Sequence, residues 1–242
     1  SKVLDPNLLL IINIFKLNKI PYWLCHGTLL GVVRDKQLIS WKNDIDIAIW
    51  DTTISKTKLV ELMTSNDFEL ETNTFFDGDN ILYFHKPGGR LIDIHFYQIK
   101  YIKEANKNMA ALYSVYIPKN IYMKFIDAMS RAKNYNGKFK YLIRTFSIFK
   151  DFFKFIKKKL IKNNMFYSSV CACEPLELLK EFKEIDIFGN KLMIPNKSEE
   201  LIKYMYGDEW KTPNKNYFYL PGQGLNEKRK NRPLTVIKPL KT

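Results

Sequence analysis

Residues 27–34 read GTLLGVVR, and residues 44–49, a short distance further along the chain, read DIDIAI. The glycine-rich stretch is typical of a tight turn that leads into a helix. Alternate residues of a β-strand point to the same face, so Asp44 and Asp46 project together while Ile45, Ile47 and Ile49 point the other way into a core. Two adjacent carboxylates repel each other unless a cation lies between them, and Mg²⁺ with a bound phosphate meets that need. The pattern predicts metal-assisted transfer of a phosphate-containing group.

Helices and strands alternate around these two stretches. Asp5 and Pro6 are typical of a helix start, and the apolar residues that follow predict a helix to about residue 18. Residues 22–25 predict a short buried strand, and residues 28–34 predict a short helix with its N-terminus at the glycine turn. A strand is expected over residues 45–50, followed by a helix that ends near residue 65.

Three further strands are predicted, because apolar and polar residues alternate over residues 68–75, 80–85 and 90–99. In the last of these, Asp93 and His95 share one face of the strand. Asp93 becomes a third carboxylate of the site if this strand neighbours the one that carries the aspartate pair. The sequence alone does not determine which strands are neighbours.

The second half of the chain is predicted to be mostly helical from residue 121, with a hairpin over 185–194, a helix over 198–206 and a polar, basic tail from residue 221. Residues 137–164 are its most biased segment. Apolar residues recur there every three or four positions, and lysines fill much of the remainder, which predicts a basic amphipathic helix. Such a helix either lies on anionic lipid or packs with its basic face in water, and the pattern slightly favours the second alternative.

Composition predicts a folded protein with anionic partners. The chain has 242 residues, 46% of them hydrophobic, and a formal net charge of +14. That charge suits nucleic acid, an anionic membrane surface or nucleotide substrates. No RNA-binding motif is recognisable, which disfavours nucleic acid. Three cysteines without framework spacing and the lack of a long apolar run predict a cytoplasmic protein, or one held peripherally on the inner face of the membrane.

The ordered motifs resemble the LicD family of the nucleotidyltransferase fold, which includes phosphocholine transferases and the fukutin group of ribitol-phosphate transferases. The family pattern of Gly-Thr-Leu-Leu-Gly-x-x-Arg, a tryptophan and an Asp-rich strand matches residues 27–34, Trp41 and residues 44–46. A later family carboxylate matches Asp93. Near the end, a glycine hairpin, a proline and Tyr-Gly-x-x-Trp-x-x-Pro match a final group of residues: Gly189, Pro195 and 206–213.

The chain departs from the family pattern beside its aspartates. The family usually has an acid directly after the tryptophan, where this chain has Lys42. The change either weakens a second metal site or places a lysine against a substrate phosphate. His26 also replaces a residue that is often small.

The resemblance implies an α+β fold, with a nucleotidyltransferase-like mixed sheet flanked by helices and a mostly helical C-terminal half. The implied organisation is a catalytic core over 1–120, a helical region with the hairpin and the Tyr-Gly-x-x-Trp segment over 121–220, and a basic tail over 221–242. The implied activity is Mg²⁺-dependent transfer, with Mn²⁺ as a substitute, of phosphocholine, ribitol phosphate or glycerol phosphate from a CDP-linked donor. The implied acceptor is a hydroxyl of a cell-surface glycan, such as lipopolysaccharide, capsule or teichoic acid, or of its lipid-linked precursor.

Each site residue has an expected role. Asp44, Asp46 and Asp93 would hold the metal, and Asp93 is also a candidate for accepting the proton of the attacking hydroxyl. Six residues are expected to meet the substrate through backbone N–H groups, charge or stacking: Gly27, Thr28, Arg34, Trp41, Lys42 and His95. A core or lid role is the favoured alternative for Trp41, and a surface position is an equal alternative for His95.

Two other functions remain open at this point. The same glycine turn and aspartates would serve ordinary nucleotidyl transfer, which adds a nucleoside monophosphate to a sugar, an antibiotic or an RNA end. Lys42 and the net charge of +14 also fit a catalytically weakened protein that binds a membrane or nucleic acid.

Overall fold

The computed structural model describes residues 3–71, 80–102, 106–112, 114–135, 137–163, 165–170, 173–215 and 235–237. Residues 72–75 of the strand predicted over 68–75, and most of the tail from residue 221, lie outside this part of the chain. In chain order the elements are α1 (Pro6–Leu17), β1 (Trp23–Leu24), α2 (His26–Arg34), β2 (Asp44–Trp50), α3 (Lys56–Thr64), β3 (Glu69–Leu70), β4 (Ile81–His85), β5 (Leu91–Ile102), β6 (Lys107–Ala111), β7 (Ser114–Pro118), α4 (Ile121–Ser130), α5 (Lys140–Thr145), α6 (Lys150–Lys162), β8 (Phe166–Val170), β9 (Cys173–Pro175), β10 (Phe182–Ile187), β11 (Asn190–Pro195), α7 (Ser198–Tyr206) and β12 (Thr235–Ile237).

The chain divides into two compact units. The first contains Ser1–Thr74, Asp79–Tyr113 and Cys171–Thr235, and the second contains Phe75–Gly78, Ser114–Val170 and Val236–Thr242. The chain therefore enters the second unit after residue 113 and returns to the first unit at Cys171. The domain boundaries that the sequence analysis places at residues 120 and 220 stay a prediction.

A mixed sheet forms the centre of the first unit, with strand order β1-β2-β5-β4-β3. Strands β2 and β5 are parallel, whereas β1 pairs antiparallel with β2, and β4 with β5. The far end of β5 continues into an antiparallel pair with β6, which also pairs with β9. The isoleucines at alternate positions 45, 47 and 49 of β2 and 92 and 94 of β5 are fully buried, as a period of two predicts.

Helices cover this sheet and start where local chemistry favours them. Helix α1 has Asp5 as its N-cap, with the carboxylate accepting from the Asn7 N–H at 3.0 Å, and a proline in its first turn. The Asn7 side chain donates to the carbonyls of Lys86 and Arg90, at 2.9 Å each, and so ties α1 to the turn between β4 and β5. Hairpin β10–β11 and helix α7 complete the first unit.

The second unit contains helices α4 to α6 and the strands β7 and β8, which pair antiparallel. Strand β12 joins the same small sheet beside β8. Helix α4 packs against α6. An ion pair joins these two helices: the ammonium of Lys157 on α6 lies 2.7 Å from a carboxylate oxygen of Asp127 on α4, and both side chains are buried.

The fold class is the predicted one, α+β with a mixed sheet flanked by helices. The helices at the N-terminus, at the glycine turn and before Gly207 lie where the sequence predicts them, as does the hairpin near residue 189. The prediction of a single amphipathic helix over 137–164 is wrong. The segment instead forms α5, a short 3₁₀ turn at Ser147–Phe149, and α6. The favoured packing of its apolar side is also wrong for Phe139, Leu142 and Phe146, which are exposed.

Candidate active site

The central feature of the site is the parallel pairing of β2 with β5. In this register Asp46 lies opposite Asp93, and Asp44 lies opposite Leu91. Because side chains alternate along each strand, all three aspartates project from the same face of the sheet. Asp46 is 9% exposed, and Asp44 and Asp93 are half-buried. The structure therefore brings together the three carboxylates that the sequence analysis named as metal ligands.

The N-terminus of α2 fixes the Asp46 carboxylate and its backbone. The Gly27 N–H donates to Asp46 Oδ2 at 3.1 Å, and the Asp46 N–H donates to Thr28 Oγ1 at 2.8 Å. Thr28 is buried, so this hydroxyl supports the strand from inside the protein. The contact that the structure shows for Gly27 and Thr28 is thus with Asp46. A direct contact of either residue with substrate stays a prediction.

His95 completes the hydrogen bonding of Asp46. Its Nε2 lies 3.0 Å from Asp46 Oδ1, and because an ionised carboxylate only accepts, Nε2 carries the proton. The other ring nitrogen, Nδ1, is buried and has no hydrogen-bond partner among the described residues. The His26 ring centroid lies 4.7 Å from that of His95. His95 therefore lines the site, and the surface position that sequence allowed for it is wrong.

The three carboxylates differ in acidity because their surroundings differ. Burial raises the pKa of Asp93 well above its ordinary value, and the charges of Asp46 and Asp44 raise it further. Burial, followed by the charge of Asp46, also raises the pKa of Asp44. Burial acts the same way on Asp46, but the His95 hydrogen bond and nearby positive charge outweigh it and lower the pKa of Asp46.

Lys42 is the basic residue nearest in sequence to the aspartates, and it also lies close to them in space. Its Cε is 3.9 Å from the point that a Cβ on Gly27 would occupy. Its positive charge lowers the pKa of all three aspartates. The lysine that replaces the family's acid thus adds a positive charge beside the carboxylates.

Arg34 and Trp41 have other contacts in the structure. Arg34 is the last residue of α2 and lies eight residues after His26, the first one. About 12 Å of helix therefore separates the two residues. Its guanidinium pairs with the Asp35 carboxylate at 2.7 and 2.8 Å and donates to the Trp210 carbonyl at 3.4 Å. Trp41 lies beneath the Lys215 ammonium, 5.4 Å from the ring centroid. Their substrate contacts stay predictions.

Several residues at the site were not predicted from the sequence. Tyr83 pairs across the sheet with Asp93, and burial followed by the Asp93 and Asp46 charges raises its pKa. Cys25 and His26 lie beside His95, and the ligand atoms of these three residues are within 4.8 Å of one another. Only the unusual His26 before the glycine turn offered a signal in the sequence, since strand pairing is needed to place Tyr83.

Within the described residues, two groups of side chains could hold a metal ion. One is Asp46, Asp93 and His95, whose ligand atoms also lie within 4.8 Å of one another, and the other is the group with Cys25. Carboxylate oxygens suit a hard cation such as Mg²⁺ or Mn²⁺, whereas thiol and imidazole suit softer metals. The carboxylates of Asp46 and Asp93 in the first group therefore fit the predicted cation, whereas Asp44 is in neither group and its part in holding a metal stays a prediction.

Opposed aspartates on parallel strands, with the Gly27 N–H of α2 donating to one of them, thus lie at the centre of a mixed sheet flanked by helices. Residues 19–141, about half of the chain, match the family described as LicD/FKTN/FKRP, nucleotidyltransferase domain. The chain belongs to this family.

Two further comparisons concern known proteins and solved structures. No curated protein matches the sequence. The crystal structure of the lincosamide antibiotic adenylyltransferase LnuA with lincomycin bound is similar over 83% of this chain and 85% of that chain, with 15% identity and a TM-score of 0.41.

Proposed function

We propose that the protein transfers a phospho-alcohol, of the phosphocholine, ribitol phosphate or glycerol phosphate class, from a CDP-linked donor to a hydroxyl of a cell-surface glycan or its lipid-linked precursor. The observation that carries the proposal is the register that opposes Asp46 to Asp93, with Asp44 on the same face. Membership of the LicD family supports the transferase class.

Asp44, Asp46 and Asp93 would hold Mg²⁺ or Mn²⁺. When bound, the cation would neutralise the charge that develops on the phosphate group during its transfer. The hydrogen bonds from Gly27 and His95 orient the Asp46 carboxylate before any ligand arrives. A prepositioned ligand set lowers the reorganisation needed to reach the transition state.

The reaction needs a group that takes the proton of the acceptor hydroxyl. The acceptor oxygen forms a new bond to the phosphorus of the phospho-alcohol, the bond from that phosphorus to the bridging oxygen breaks, and cytidine monophosphate leaves. Asp93, which lies opposite Asp46, would take this proton in the arrangement where Asp44 and Asp46 hold the cation, as a positioned carboxylate can. The Lys42 ammonium supplies positive charge for the donor's phosphates.

Isotope-labelled donors test the proposal. Purified protein receives Mg²⁺, an isolated glycan acceptor, and CDP-choline, CDP-ribitol or CDP-glycerol carrying one label in the alcohol and another in the cytidine. The alcohol label should enter the glycan, and Asp46→Asn should lower the rate about 10³-fold by removing a ligand that stabilises transition-state charge. Asp51→Asn, at an exposed aspartate just after β2, is the matched control and should leave the rate unchanged.

Nucleotidyl transfer is the second candidate, favoured by the description of the matched family domain as a nucleotidyltransferase. In that reaction the cytidine label, or the nucleotide of another triphosphate donor, enters the product and the alcohol label does not. If neither label enters a product and Asp46→Asn binds the same ligands as the unmodified protein, both transferase proposals fail and a non-catalytic binding protein remains.

A further inference from the structure

We propose that the second unit carries a surface that docks onto anionic lipid bilayers. This interfacial surface consists of exposed apolar and basic side chains of α5, the following 3₁₀ turn and α6. Its apolar members are Phe139, Tyr141, Leu142, Phe146, Ile148, Phe149, Phe152 and Phe155. The inference does not depend on the reaction proposed above, and its experiment is independent of enzyme activity.

The apolar part of the interfacial surface is large for a folded protein. Exposed fractions range from 44% at Phe146 to 84% at Ile148. At roughly 200 Å² for a whole phenylalanine side chain, the five phenylalanines alone leave about 600 Å² in contact with water. Summed over these three consecutive elements, the area is comparable to the largest apolar patches, about 300–600 Å², of typical monomeric proteins. Exposed apolar area of this size often marks a binding surface.

Helix α6 leaves two phenylalanines in water while it buries a lysine. Its Lys157 is 4% exposed and is satisfied by the buried Asp127 carboxylate, whereas Phe152 and Phe155 are 60% and 67% exposed. A helix selected only to pack on its own unit would bury the phenylalanines and leave the lysine in water. The arrangement instead keeps two aromatic rings one helical turn apart on the outside.

The same segment has a strongly positive charge. Residues 137–163 contain nine lysines and arginines and one acidic residue, Asp151. Lys158 and Lys159 on α6 are exposed, and the Lys140 ammonium lies 5.1 Å from the centroid of the Tyr141 ring. Helices that lie in the membrane interface typically combine aromatic rings, which sit at the level of the lipid headgroups, with basic side chains around them.

This charge decides between lipid and a second copy of the chain. Two copies meeting through this surface would bring two segments of strong positive net charge together, which is unfavourable. An anionic bilayer offers negative charge for the lysines and acyl chains for the aromatic rings at once. None of the helices in the described part of the chain is both long and apolar enough to cross a bilayer.

Vesicle flotation with the full chain tests the inference. The protein should float with phosphatidylcholine vesicles that contain phosphatidylglycerol and much less with pure phosphatidylcholine, and added salt should weaken the binding. Phe152→Ser/Phe155→Ser should lower partitioning roughly 100-fold or more. Lys158→Gln/Lys159→Gln should lower it roughly 30-fold on the anionic vesicles. All four side chains are exposed, so these variants should keep the thermal stability of the unmodified protein.

Matched controls lie in the first unit. Phe188→Ser removes an exposed phenylalanine, and Lys16→Gln/Lys58→Gln removes two exposed lysines; both should float like the unmodified protein. The inference is overturned if the unmodified protein stays with neither vesicle, or if the phenylalanine variant floats equally well. It is also overturned if light scattering shows a lipid-free dimer that Phe152→Ser/Phe155→Ser dissociates, because a second copy would then be the occupant.

Discussion

At the residue scale, the site depends on how firmly Asp46 is held. Thr28 Oγ1 is the acceptor for the Asp46 N–H inside the protein. Thr28→Val keeps the shape and removes this acceptor, which leaves a buried N–H without a partner. We expect a loss of about 1–3 kcal/mol in the free energy of unfolding and weaker Mn²⁺ binding. Denaturant unfolding and a Mn²⁺ titration measure the two effects.

The control for that substitution is Thr57→Val, at an exposed position on α3. It should change neither quantity. Equal stability of Thr28→Val and the unmodified protein would contradict the supporting role of this hydroxyl.

Asp93 gives a pH-dependent prediction. Its folded-state pKa is raised by burial, then by Asp46 and Asp44, so the folded protein holds this proton to a higher pH than the unfolded chain does. The contribution of Asp93 to stability is therefore present in acid and is lost as the pH rises through the raised pKa. Without divalent cation, Asp93→Asn should melt at a higher temperature than the unmodified protein at pH 8, and the difference should shrink in acid.

Thermal melts in a chelating buffer across this pH range provide the measurement. Added Mg²⁺ should then stabilise the unmodified protein at pH 8 but leave Asp93→Asn unchanged. A lower melting temperature for Asp93→Asn in chelator at pH 8 would show that Asp93 does not destabilise the cation-free fold.

Asp44 and Asp46 were identified from the sequence because two acids on one face of a strand require an explanation beyond packing. Asp93 was identified because it lies within a predicted strand and matches a later carboxylate of the family pattern. The sequence pattern assigned Gly27 and Arg34 to a phosphate, whereas the structure shows the first bonded to Asp46 and the second to Asp35. Both are hydrogen-bonding groups whose partner depends on tertiary neighbours. A residue's type therefore indicates what it can bind, while only the fold shows which group within the protein competes for it.

At the element scale, helix α2 must approach the loop that follows it very closely. A Cβ on Gly31 would lie 2.7 Å from the Gln37 carbonyl oxygen and 3.0 Å from the Ile39 nitrogen. These are backbone atoms, so they cannot move aside as a side chain can. Gly31→Ala should lower the free energy of unfolding by about 1–3 kcal/mol, the usual effect of overpacking. Chemical denaturation measures it.

Gly27→Ala is the comparison within the same helix. Its Cβ would meet the nearest atom, Asp46 Oδ2, at 3.4 Å, an ordinary contact. Because alanine also favours helix over glycine, this variant should be as stable as the unmodified protein or slightly more so. Similar losses at both glycines would contradict the close approach as the cause.

Elements with capping or turn residues were predictable, and the basic segment was not. Asp5 before a proline and Gly207 after the last turn mark the ends of α1 and α7 in the sequence itself. In the basic segment, periodicity predicted one helix whose apolar side packs inside. Periodicity cannot show what the apolar side of a helix packs against. In this segment, many of the apolar side chains are exposed to water.

At the scale of the whole molecule, the site depends on contacts between distant parts of the chain. Strand β5 pairs in parallel with β2 although α3, β3 and β4 lie between them in sequence. Residues after 171 return to the first unit, where Glu174 accepts from the Tyr97 hydroxyl at 3.0 Å. Local patterns carry no information on such pairings, so the sequence could propose Asp93 as the third ligand but not its position opposite Asp46.

The whole-molecule consequence of the site is stabilisation by a divalent cation. A cation that binds only the folded state at 100 times its dissociation constant adds about 2.7 kcal/mol to the free energy of unfolding, which corresponds to a rise of roughly 5–10 °C in Tm for a protein of this size. Mg²⁺ or Mn²⁺ should produce this rise in the unmodified protein, and Asp44→Asn should abolish it. Lys42→Asp should enlarge it, because a positive charge beside the three carboxylates becomes a negative one.

Differential scanning calorimetry with and without chelator measures the rise. Lys36→Asp, at an exposed lysine after α2, makes the same change of net charge away from the carboxylates and should match the unmodified protein. Equal gains for Lys42→Asp and Lys36→Asp would mean that net charge, not the position of Lys42, governs cation binding. An unchanged Tm of the unmodified protein in both cations would contradict the metal site itself, because binding to the folded state alone must raise Tm.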